Sequence, residues 1–192
     1  VASLRWQLES GHLQLFCVDQ VDRERWYAWH LHRGDRSRRH LQYDAYLHVE
    51  VLPFTRSVNP NPFMIVAGPS FGAYHAMTFA LRHPEQVGRV LGMSGLYDIK
   101  RFTGGYHDVN VYLNNPVDFL GGEQDPGRLA ALRRLDVILA VGRDDPLLGQ
   151  NRHLSSILWG KNVWHALRVW DGFAHDWPAW ASMLPLYVGG HD

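Results

Sequence analysis

Apolar residues are spaced along this chain in two textures. Short continuous runs fall at 13–18, 63–67, 87–93, 137–141 and 166–170, most of them bounded by Gly, Pro, Asn or Asp. Runs of that length with such flanks predict buried strands. Between them apolar residues recur at helical spacing. Tyr46, Val49, Leu52 and Pro53 predict a helix over 42–56 that ends near Pro53. Further helices are predicted over 71–83, where Arg82, His83 and Pro84 close the segment, and over 148–159 and 177–188. Residues 20–40 are polar and predicted to be irregular, and Asn59-Pro60-Asn61-Pro62 predicts a turn. Residues 95–134, rich in Gly, Asn and Pro, are expected to form an excursion of loops and short helices over the active face. The opening residues read as the end of a helix stopped near Gly11, as if the chain began mid-fold, its N-terminus either missing or shortened. Strands alternating with helices predict an α/β fold in which a mostly parallel sheet is covered on both faces, in a single domain over 1–192.

Composition narrows the class. The 192 residues are 46% hydrophobic and 20% charged, as expected of a soluble globular chain. Nineteen basic residues balance nineteen acidic ones, which gives no broad attraction to nucleic acid or to an anionic membrane. No apolar run approaches the ~20 residues of a spanning helix. Cys17 is the only cysteine, so no internal disulfide forms, and a reducing, cytoplasmic location is expected. The sequence leaves a homo-oligomer open.

Gly68-Pro69-Ser70-Phe71-Gly72 changes the picture most, because it lies between a predicted strand and a predicted helix. A serine on a sharp strand-to-helix turn, flanked by glycines that allow close approach, is the nucleophile elbow of α/β-hydrolases. Catalytic groups of parallel sheets gather at the carboxyl ends of strands. Asp144 and Asp145 follow the strand at 137–141, and His175 follows the strand at 166–170. Serine, aspartate, histidine is the order in which such enzymes carry their catalytic groups. A hydroxyl needs a base to become a nucleophile, an imidazole can take and return the proton, and a carboxylate fixes the tautomer of that imidazole. The Phe71 backbone N–H is the expected oxyanion donor.

The segment Gly68 to Ala76, with Arg82-His83-Pro84, Met93-Ser94-Gly95-Leu96-Tyr97-Asp98, Gly142-Arg143-Asp144-Asp145-Pro146 and His175-Asp176-Trp177-Pro178, resembles the esterase D-type carboxylesterases. These share their fold with S-formylglutathione hydrolases and mycolyltransferases. The resemblance implies a three-layer α/β-hydrolase fold, shortened at its N-terminus, that cleaves short-chain carboxylic esters without cofactor or metal. It implies Ser70 as nucleophile, His175 as base and Asp145 as the acid. Two departures stand out: Pro69 lacks the N–H usual before the nucleophile, and no upstream loop resembles the one that supplies a second oxyanion donor. A binding module on the same fold, and an acyltransferase, are the alternatives.

Other chemistry-bearing residues are expected to have ordinary roles. His30, His32, His40 and His48 are read as surface histidines, and Arg33, Arg36, Arg38 and Arg39 as a solvated loop. Asp176 is read as a helix cap, Ser94 as packing, and Trp164, Trp177 and Trp180 as core or rim.

Overall fold

A computed structural model describes residues 2–189. Its centre is a four-stranded parallel sheet in the order β1 (Ile65–Pro69), β2 (Arg89–Met93), β3 (Asp136–Gly142) and β4 (His165–Trp170). Each strand pairs in register with the next, Gly68 with Gly92 and Gly92 with Leu139. Strand alternation divides the apolar residues between two faces. Val90, Val137 and Leu139 point to a core shared with helices Phe71–Arg82, Pro116–Gly122 and Leu148–Gly160. Leu91, Met93, Ile138 and Ala140 point to the other face, covered by helix Trp177–Val188 through Met183 and Tyr187. This is the three-layer α/β arrangement that alternating strands and helices demand.

Helix Phe71–Arg82 is buried from Gly72 to Leu81, so it is the interior helix and its apolar residues are not confined to one stripe. Burying one of its larger side chains, such as Met77, contributes roughly 1.5–3 kcal/mol. Residues 95–134 fold into short helices at Lys100–Thr103, Val109–Asn114, Pro116–Gly122 and Pro126–Leu132. Val117, Leu120 and Leu132 pack into the core beside the interior helix.

Three expectations are corrected. Residues 13–18 form no strand, and Cys17 is exposed. Among the described residues no other strand runs beside the segment to complete its hydrogen bonds. Its side chains instead line a groove of about 590 Å³ with Tyr46, Val51 and Phe54. Residues 33–40 are not irregular but the first part of the α-helix Arg33–Tyr46, which runs into the helix predicted over 42–56 and is continued by a π-helical turn Leu47–Val51 and by helix Leu52–Val58. Pro53 therefore does not end the helix. It sits directly after the π-helical turn, and the helix runs on through it. No helix of the described residues is long and apolar enough to cross a membrane.

Candidate active site

The sheet brings Ser70, Asp145 and His175 to one end. β1 stops at Pro69, and Ser70 takes φ 52° and ψ −114° before the helix begins at Phe71. That backbone is rare for a residue with a side chain. It is held by the Ser70 N–H, which donates to Met93 O of β2 at 2.8 Å. Gly68 makes the turn possible: a Cβ there would lie 2.3 and 2.4 Å from the carbonyl carbon and oxygen of Gly72. Gly72 is less constrained, since a Cβ there would meet the Gln20 carboxamide at 2.9 Å and the Pro69 ring at 3.3 Å. Pro69 does not disturb the pairing. In a parallel strand alternate residues face alternate neighbours. Ser70 faces β2, so Pro69 turns its missing donor away from β2, toward the edge. Phe71 is the first residue of the helix, and its N–H has no intrahelical acceptor.

Asp145 follows β3 and is only 4% exposed. Its Oδ1 accepts from the Leu147 N–H at 2.8 Å, which leaves Oδ2 to accept from His175 Nδ1 at 2.9 Å. A carboxylate can only accept, so Nδ1 carries a proton, and in the neutral imidazole the lone pair is then on Nε2. His175 Nε2 lies 3.2 Å from Ser70 Oγ. Asp144 stays outside this chain of bonds: its backbone N–H donates to Gly172 O. Asp176 caps helix Trp177–Val188 by accepting from the Ala179 N–H at 2.9 Å.

Ser94 packs and also supports the histidine loop. It is fully buried at the end of β2, and its Oγ donates to Ala174 O at 3.1 Å, the carbonyl just before His175. The Trp180 indole N–H donates to the same Oγ at 3.2 Å, and the ring lies edge-on to His175 at 5.3 Å. Ala174 itself is held at φ 47°. The only sequence signal for these partners was Ser94 falling at the carboxyl end of a strand. Trp164 and Trp177 are largely exposed.

A second network went unread in the sequence. The buried Arg25 guanidinium donates to Asp22 Oδ1 at 2.9 Å, pairs with His40 Nδ1 at 2.7 Å and stacks on Tyr43 at 3.8 Å. His75, on the interior helix one turn past Ser70, reaches the same Asp22 at 3.0 Å. His40 is therefore not a surface histidine. Burial, with His75 and Arg25 nearby, pushes it well below the usual imidazole range, and burial also lowers His75. The network pins residues 19–22 against the elbow helix, with Tyr43 Oη donating to Asp19 O at 2.9 Å. Within that turn Val21 is forced to φ 42°, a strained value for a β-branched residue. Gln20, at its tip, is the residue whose carboxamide comes against Gly72. Among the described residues no cluster of three His, Cys, Asp or Glu side chains is arranged to hold a metal.

The family model described as "Putative esterase" matches residues 11–188 of the chain. An acetyl esterase of Caldicellulosiruptor saccharolyticus is 24% identical over 155 residues, 70% of this chain and 58% of that protein. Among solved structures, a ferulic acid esterase superposes with a TM-score of 0.62 at 28% identity, covering 74% of this chain and 57% of that one. S-formylglutathione hydrolase of Staphylococcus aureus superposes with a TM-score of 0.62 at 18% identity, covering 82% and 63%. The fold is that of the α/β-hydrolase esterases, and the chain spans about three-fifths of the length of these relatives.

Proposed function

The chain belongs to the putative esterase family, and we propose that it is a serine carboxylesterase acting on short-chain esters through an acyl-enzyme on Ser70. The observation that carries this reading is the unbroken run of hydrogen bonds from Ser70 Oγ through His175 to Asp145, at 3.2 and 2.9 Å. In this reading His175 Nε2 takes the Ser70 proton as Oγ attacks the ester carbonyl. The C=O π pair moves to oxygen, and the Phe71 N–H stabilises that oxyanion. The intermediate collapses, the C–O bond to the alcohol breaks, and His175 returns the proton to the leaving oxygen. Water then repeats the sequence on the acyl-Ser70, releasing the acid. Asp145 holds the Nδ1–H tautomer and stabilises the imidazolium.

We also propose the Gln20 carboxamide as the second oxyanion donor. Its Nε2 would stand 2.9 Å from a Cβ at Gly72, at the start of the elbow helix, on a turn that is strained at Val21 and anchored at Asp19 and Asp22. A serine hydroxyl within reach of the base favours catalysis over a binding module. Acyl transfer would differ only in the acceptor, and product analysis with added alcohol separates it from hydrolysis.

Ser70→Ala tests the proposal. Hydrolysis of p-nitrophenyl acetate should fall to the solution background. Turnover equal to that of the unmodified protein would remove Ser70 as the nucleophile.

A further inference from the structure

On the far side of the aromatic residues that follow the elbow, the chain forms a groove of about 290 Å³. Its apolar wall is Trp29, 63% exposed, and Phe102, with the two rings stacked at 6.0 Å and 19°. Its polar wall is Arg33, Arg36 and Arg101, and no carboxylate lines it. Among the described residues none of these three guanidinium groups is ion-paired. The nearest acid on the same helix turn, Asp35, pairs with Arg38 at 2.9 Å on the exposed side.

Arg36 is the unusual member. It is 3% exposed, donates from Nη1 to Trp26 O at 3.1 Å, and its Nε has no partner. It also lies 4.9 Å over the Trp29 ring. A buried cation without a counter-charge is costly unless something else supplies the anion. The groove also opens at the N-terminus of the 14-residue helix Arg33–Tyr46, whose dipole favours negative charge there. Burial and the neighbouring Arg33 lower the Arg36 pKa, as an unpaired guanidinium requires.

The groove is one aromatic layer from the nucleophile. Phe102 lies 5.4 Å from Phe71, the residue that follows Ser70, and Tyr27 lies 5.4 Å from the same ring. We propose that this groove holds a carboxylate carried on the non-reacting end of the ester. The chain would then select acidic esters with a flat or apolar body, the body lying on Trp29 and Phe102 and the carboxylate on Arg36, with Arg33 and Arg101 at the rim. This rests on the Ser70 reading for the site of cleavage, but the groove can be tested without it.

The experiment compares kcat/KM for charged and neutral esters of equal length. One series is p-nitrophenyl half-esters of straight dicarboxylic acids of increasing length. The other is acetyl esters of hydroxybenzoate and hydroxyphenylacetate. In at least one series a charged ester should exceed its neutral counterpart by about tenfold, through KM, as one charge-assisted contact implies. That ratio should collapse toward one in Arg36→Met and shrink in Arg101→Gln, the second variant at an exposed position where folding is not at risk. No charged preference in either series, or a preference left undiminished by Arg101→Gln, overturns the proposal. If even the neutral esters are not cleaved, the Ser70 reading fails instead. Calorimetric titration with benzoate then decides the groove: binding that Arg101→Gln weakens supports it, and no binding overturns it.

Discussion

Replacing Gly68 by alanine should damage both stability and turnover, because the new methyl group has nowhere to go. Its Cβ would stand 2.3 and 2.4 Å from the backbone carbonyl carbon and oxygen of Gly72 and 2.9 Å from its Cα. Ordinary contact needs about 3.5 Å, so the end of β1 and the start of the helix must separate by roughly 1 Å. Only Pro69, Ser70 and Phe71 link those points, and Ser70 already sits at φ 52°. The obstacle is backbone, so no side chain can rotate away. Overpacking of this kind costs about 1–3 kcal/mol, and a backbone clash belongs at the upper end. For a chain of this size that is a fall in Tm of roughly 6–12 °C. A shift of about 1 Å also takes Ser70 Oγ out of reach of His175 Nε2, now 3.2 Å away, so kcat should fall about 10²-fold. Gly72→Ala is the control, since its Cβ meets the end of the Gln20 side chain and the Pro69 ring. Urea unfolding with initial rates on p-nitrophenyl acetate measures both effects. If Gly68→Ala costs no more than Gly72→Ala in stability, the account of the elbow is wrong.

Asp145→Asn should lower kcat by about 10³–10⁴ while Asp144→Asn stays within a few-fold; equal losses would mean that Asp145 does not orient His175. Gln20→Ala should lower kcat by about 10²–10³ with KM nearly unchanged, as the loss of a donor used only in the transition state would, and an unchanged kcat removes Gln20 from the oxyanion site. Stability should fall in acid. His40, His75 and His165 all have lowered pKa values in the folded chain, so below the ordinary imidazole range the unfolded chain binds protons that the folded one refuses. Unfolding free energy should therefore decline as pH drops from about 7 toward 5, by up to about 1.4 kcal/mol per pH unit for each histidine. His40→Gln should flatten that slope, and an unchanged slope would mean that His40 is charged when folded.

The elbow was legible because its constraints are local. Glycines bracket a serine between an apolar run and a helical run, and nothing distant is needed to see it. Asp145 and His175 were legible as positions after strands; the family resemblance pointed to Asp145 rather than Asp144, and it is Asp145 that lies within hydrogen-bonding distance of His175. Residues 13–18 misled because an apolar run does not make a strand without a neighbour to bond. The first part of the Arg33–Tyr46 helix, residues 33–40, was missed for a different reason. Its buried residues include Arg36, Ser37, His40 and Tyr43, so the helical spacing is present but is written mostly in polar side chains. Hydrophobic periodicity cannot register a face that buries cations and imidazoles. The same blindness hid the Asp22, Arg25, His40 and His75 network, whose members become partners only after residues 19–25 fold against the elbow helix. Ser94 looked like packing because its bond to Ala174 O spans from β2 to a loop beyond β4.

The central claim is that Ser70 is the nucleophile, activated by His175. A fluorophosphonate probe tests it directly, since it phosphonylates an activated serine hydroxyl. Intact-mass and peptide analysis should find one adduct per chain, on Ser70, with labelling lost in His175→Ala. An adduct on another residue, or labelling of Ser70 at the same rate without His175, would contradict the account.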